Sequence, residues 1–176
     1  MKQILQDMKN GFTEIIELPN PAVSDGTILV KSINSLISSG TERMLIDFGN
    51  ASYLNKALKQ PARVKTVLDK IKTDGFKPTF NAVISKLEEP MPMGYSNVGT
   101  VSEIGKNISN INVGDRVLSN GSHAEIVKVP KNFFVKIPDN VADEEAVFGV
   151  VGSIALQSIR LAAPTLGERV VVFGLG

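Results

Sequence analysis

The chain contains no cysteine, so it forms no disulfide and offers no thiolate to a metal. It has a single histidine, which excludes a zinc site of imidazole and thiolate ligands within these 176 residues. An excess of one charge is missing too: 19 Lys and Arg face 18 Asp and Glu, for a net charge of +1. That balance leaves no electrostatic footprint for nucleic acid or an anionic membrane surface. No apolar run is long enough to span a bilayer. The longest, residues 146–156, contains Gly149, Gly152 and Ser153 and reads as a packed helix. The N-terminus, MKQILQDMKNG, has acidic and polar residues where a signal peptide needs an apolar core. A cysteine-free chain of ordinary composition is compatible with a reducing compartment, and the cytoplasm is the expected location.

What is present begins with strands. Ile4-Leu5 and Thr13 to Glu17 flank Asn10-Gly11, a favourable hairpin turn. Asp25-Gly26 turns the chain into a β-rich run, Thr27 to Ile33. Residues 53–87 change character: Val64, Val67, Leu68 and Ile71 form a helical stripe after Pro61, and Phe80, Val83, Ile84 and Leu87 form a second after Asp74-Gly75. A helical pair is expected there, its apolar faces packed on the body and its lysines, Lys56 and Lys59 among them, on a solvated face. From Val98 short strands return, with turns at Gly105-Lys106-Asn107, Asn112 to Asp115 and Asn120-Gly121. Their spacing suggests a small barrel or sandwich. Asp143 then reads as the N-cap of a helix running towards Arg160, with Glu144 and Glu145 in its first turn and Pro164 as its stop.

The last residues, RVVVFGLG, read as a buried parallel strand followed by a glycine turn, Gly174-Leu175-Gly176. A dinucleotide fingerprint also needs a third glycine, a helix and an acidic residue about 20 positions on. The expectation is therefore the first edge of a cofactor domain, in one part of an oxidoreductase that is inactive alone. That apolar strand needs cover, and a homo-oligomer is one way to supply it.

The ordered set of β segments, GDRV at Gly114 to Val117, HAEIVKVP at His123 to Pro130 and IPDNVADEEA at Ile137 to Ala146 resembles the medium-chain dehydrogenase/reductase superfamily. The resemblance implies a mainly β, α+β fold: a GroES-like, partly open barrel over residues 1–142 with a helical insertion at 53–87. Residues 143–176 would then be a crossing helix and the start of a truncated dinucleotide-binding Rossmann domain. Ser38 to Glu42, Val67 to Thr79 and Ser85 to Val101 further resemble bi-domain oxidoreductases that add a second, Gfo/Idh/MocA-type half and often serve polysaccharide or sugar modification. That resemblance implies NAD or NADP as cofactor of the complete protein, a small, sugar-derived substrate, and partner domains absent from this chain.

In zinc-using members three ligands hold the metal, and their positions fall here on Ser39, Tyr95 and, within a residue or so, Val150. A hydroxyl, a phenol and an aliphatic side chain do not replace thiolate and imidazole, so no metal site is expected. Tyr95, Ser39 and Thr41 are then the candidates to surround a substrate oxygen, with Thr41 at the position of the family's proton-relaying hydroxyl. Gly174, Gly176 and Ser153 are the candidates to meet the cofactor. The blander readings are a turn at Ser39 to Thr41, a packing tyrosine, and a small Ser153 between packed helices. Glu42 is expected to pair with Arg43 or another base at the surface, and His123 to be structural or surface-exposed. Two alternatives stay open: a non-catalytic GroES-like binding module or fragment, and a quinone or enoyl reductase.

Overall fold

The computed structural model describes residues 1–173, without the side chains of Tyr53, Leu54, Lys59 and Leu87. The fold is α+β with two antiparallel sheets. Its elements fall into two bodies: Met1–Gln3, Glu17–Ser39 and the chain from Gly94 onward form the first, and Ile4–Ile16 with Gly40–Met93 the second.

The first body is built on a five-stranded sheet of order β7-β3-β5-β6-β8: β3 (Thr27–Ser35), β5 (Asn97–Ile104), β6 (Arg116–Ser119), β7 (Ile126–Pro130) and β8 (Phe134–Lys136). Alternation works as expected on β7, where Val127 and Val129 are buried and Lys128 is exposed. With Ile28, Val30, Val101, Ile111 and Val117 they form the main core. A second cluster, Val98, Ile137, Ala146 and Val147, anchors helix α5 (Asp143–Ala146) to the sheet. The β3–β5 register shifts between Ser32 and Asn34, a bulge that re-aims the side chains beyond it.

Asp143 does not cap the helix with its side chain. Its carboxylate instead receives Arg116 Nε (2.9 Å) and Nη2 (2.7 Å), while Nη2 also donates to the Val141 carbonyl at 2.6 Å. A two-pronged guanidinium contact outweighs one local N–H. The expected single helix is also divided, into α5 and α6 (Gly149–Ala162). At the break, the buried Ser96 hydroxyl donates to the Val147 carbonyl at 2.6 Å, taking an acceptor that a continuous helix would use. Helix α6 ends at Ala163, in the left-handed region, directly before Pro164. Arg169 to Phe173 form no ladder with any strand among the described residues, so the expected buried strand is an exposed segment here. An apolar run becomes a strand only where a neighbour meets its backbone groups.

In the second body, β1 (Lys2–Gln6) lies between β2 (Thr13–Glu17) and β4 (Met91–Pro92). The β1–β2 turn is held by the Asp7 carboxylate, which accepts the N–H groups of Lys9 (2.7 Å) and Asn10 (3.0 Å). These backbone bonds, that of Asn10 first, hold its carboxyl below the usual aspartate value. The insertion holds three helices rather than a pair: α2 (Tyr53–Lys59), α3 (Pro61–Asp74) and α4 (Phe76–Glu88). A further helix, α1 (Ser39–Gly49), stands where a turn was an open reading. Lys56 is buried, not solvated: its ammonium donates to the Met8 carbonyl at 2.7 Å, and burial pulls its pKa down.

Candidate functional site

The residues singled out in the sequence are distributed as follows. Ser39 and Thr41 sit in the first turn of α1 and are exposed. Two positions apart, they leave the helix in different directions and share no face. Tyr95 is half-buried, between Gly94 and the buried Ser96. Val150 lies on α6, and its carbonyl accepts the exposed Ser153 hydroxyl at 2.7 Å, so Ser153 satisfies itself on its own helix. Gly174 and Gly176 lie outside the described residues. Glu42 is only 6 % exposed, which corrects its expected surface role; Arg43 meets Asp47 instead, loosely, at 3.8 Å. Helix formation turns position 42 inward, which a turn reading could not foresee.

For His123 the structure rules out the surface-exposed alternative and leaves the structural one. It is 6 % exposed, and its Nδ1 lies 2.8 Å from Ser35 Oγ at the exposed end of β3. The backbone of Gly94, at φ +87°, presses against the ring: a Cβ there would lie 2.7 Å from Nδ1, Cγ and Cε1. Beside this pair Asn97 is fully buried. Its amide donates to Ser32 Oγ at 2.8 Å and, at 3.4 Å, to the carbonyl of Ser122. Gln3 reaches the Ser122 hydroxyl at 3.1 Å. Asn97 Oδ1 has no hydrogen-bond partner among the described residues. A buried acceptor of this kind is uncommon, because desolvation without a partner costs about 1–3 kcal/mol.

The first body thus brings one imidazole, one solvent-facing hydroxyl and the Gly94-Tyr95 corner together. Ser35, Asn97 and this role for His123 were missed from the sequence, because Ser35 and His123 are 88 positions apart and no local pattern links them. The one available signal was the single histidine beside small residues. Elsewhere in the first body an open concavity of about 450 Å³ runs beside Asn107, Asn110, Lys131 and Phe134. Its lining includes no carboxylate or imidazole, so it offers no acid–base pair.

Residues 66–139 match the alcohol dehydrogenase GroES-like domain. The match takes in less than half of the chain and agrees with the resemblance to the medium-chain dehydrogenase/reductase superfamily. The D-xylulose reductase of Saccharomyces cerevisiae is 29% identical over 121 residues, an alignment covering 51% of this chain and 34% of that protein. Among solved structures, the quinone oxidoreductase of Coxiella burnetii superposes with a TM-score of 0.62 at 21% identity, over 96% of this chain and 47% of that one. An Escherichia coli CFT073 alcohol dehydrogenase (rspB), solved with NADH, gives 0.64 at 20% identity, over 94% and 46%. The chain therefore spans about a third of the curated relative's length. At these identities the solved structures speak for the fold alone.

Two groups that the superfamily uses can be tested against these residues. Ser39, Tyr95 and Val150 carry no donor set that fits zinc, and among the described residues no three His, Asp or Glu side chains converge. For a dinucleotide, the described residues hold no glycine turn between a strand and a following helix, so they supply no pyrophosphate cradle of that kind.

Proposed function

We propose that this chain is the substrate-side portion of a zinc-independent, NAD(P)-dependent oxidoreductase that interconverts an alcohol and a carbonyl on a small, sugar-derived molecule. The observation that carries the reading is the GroES-like match over residues 66–139 in a chain with a hydroxyl at Ser39 and a phenol at Tyr95. Polyol-type relatives such as D-xylulose reductase support the substrate class. In this reading residues 1–142 shape the substrate side and residues from 143 begin the nicotinamide side, in a protein that adds a Gfo/Idh/MocA-type half. Tyr95, with Ser39 or Thr41, donates to the substrate oxygen, where charge develops during reduction. Gly174, Gly176 and Ser153 face the cofactor.

A quinone-type reductase is the second reading. It is supported by side chains without metal-binding character and by the fold shared with quinone oxidoreductases.

Calorimetry with NAD and NADP separates these readings from a purely non-catalytic module. The chain is titrated alone and joined to its nicotinamide domain, with metal content measured in parallel. Binding only by the longer form, without stoichiometric zinc, is the expected result; zinc at one per chain sinks the metal-free reading. In that longer form Tyr95→Phe lowers kcat by ~10²-fold or more if the phenol supplies the proton. Unchanged turnover removes Tyr95 from that role.

A further inference from the structure

We propose that His123 and Ser35 form a proton-relay couple, in which the buried imidazole holds the proton and the exposed hydroxyl delivers it to the oxygen of the substrate. The inference rests on the oxidoreductase reading and deepens it. Tyr95, Ser39 and Thr41 are hydroxyls, which at neutral pH pass a proton along but do not store one. An imidazole has one ring nitrogen to give a proton and one to take it, and His123 is the only imidazole in the chain.

The geometry fits the task. Nδ1 lies 2.8 Å from Ser35 Oγ, within the reach that proton transfer needs. The ring is 6 % exposed whereas Ser35 is solvent-facing, so the hydroxyl is the outlet. Gly94 lies against the ring atoms around Nδ1 and fixes their position, and the next residue is Tyr95. On the strand side the β3 bulge precedes Ser35, and Ser35 pairs in register with Asn97, whose amide is anchored to Ser32 and to the Ser122 carbonyl just before His123. The couple is therefore held from β3 and from the segment before β7.

The chain supplies only the proton; the hydride at the carbonyl carbon would come from the nicotinamide of the proposed reaction, and the imidazole regains its proton from solvent through the exposed hydroxyl before the next turnover. Towards the alcohol, the Ser35 O–H bond breaks as the substrate O–H bond forms. The Nδ1–H bond of the imidazolium then breaks as Ser35 O–H re-forms, leaving neutral imidazole. Towards the carbonyl, the same transfers run in reverse.

The test begins with the nitrogen spectrum of the chain, in which a lone histidine gives unambiguous ring signals. Ser35→Ala, an exposed substitution, is expected to shift the Nδ1 resonance while the backbone spectrum stays native, and Ser35→Thr to restore it. An Nδ1 signal indifferent to Ser35→Ala overturns the couple. In the form carrying the nicotinamide domain, Ser35→Ala and His123→Gln are each expected to lower kcat ~10²-fold with KM little changed. The double variant is expected to be no worse than either single one, as for groups acting as a unit. A kcat unmoved by Ser35→Ala overturns the relay even where the hydrogen bond is real. Absence of NAD(P)-dependent turnover in the unsubstituted protein sinks the oxidoreductase reading instead, and the nitrogen spectrum then decides the couple by itself.

Discussion

At position 94 a methyl group would occupy space that the His123 ring already fills. Gly94 has φ +87°, a conformation that costs a non-glycine residue about 1–3 kcal/mol, and the added Cβ would sit 2.7 Å from three ring atoms. The ring is buried and stiff, so it yields only by leaving Ser35. Gly94→Ala is therefore expected to lower unfolding stability by about 2–4 kcal/mol and to move the His123 ring signals in the same variant. Thermal melts and the histidine spectrum check both parts; a stable variant with an unmoved ring would show that the corner at Gly94 does not position it. The same residue pair marks a limit of sequence reasoning. Tyr95 could be placed at a family ligand position from the sequence, whereas the contact of Gly94 with His123 depends on how the segments before β5 and before β7 meet.

Elements were legible where their cause is local. The Asn10-Gly11 turn and the alternation on β7 act over a few residues and appear in place; helix α3 forms as well, but none of its residues is buried, which corrects the expected packing of its apolar face on the body. Helix α1 was not legible, because Ser38 to Glu42 also reads as a turn whose side chains bond their own backbone. The division between α5 and α6 was hidden for another reason: its cause, Ser96, lies 51 positions from Val147. The GDRV turn shows both kinds of cause together. Asp115 closes its turn by accepting the N–H of Asn112 at 2.8 Å and ties it to β8 through Lys136 at 2.7 Å. The Lys136 bond first, then the Asn112 bond, holds the Asp115 carboxyl below its usual value. In the unfolded chain that carboxyl binds a proton more readily, so its contribution is fully present above the ordinary aspartate range, near pH ~4. It is lost as pH falls through the lowered folded value. Urea unfolding between pH 6 and pH 3 is expected to show a shallower acid loss in Asp115→Asn than in the unsubstituted chain. Parallel acid limbs would mean that the carboxylate ties nothing down.

Across the whole chain, apolar surface is distributed unevenly. The strands of the first body, β8 apart, bury their valines almost completely, yet α6 buries none of its residues. Ile154, Ile159 and Leu161 on that helix are exposed, and so are Val170, Val171, Val172 and Phe173, the last at 93 %. Scattered exposed apolar residues need no explanation, but a helix with apolar residues exposed on more than one side and an apolar segment after it is the kind of surface that associates or gets covered. The 176-residue chain is therefore expected to bind a hydrophobic dye and to self-associate as its concentration rises, both measurable by fluorescence and by light scattering after size exclusion. Leu161→Glu with Val171→Glu should reduce dye binding and association together. It should leave the melting temperature within a few degrees, because neither side chain belongs to a core cluster. A fall in stability would instead place α6 in the load that holds the first body together, and dye binding unchanged by both substitutions would show that the exposed surface lies elsewhere.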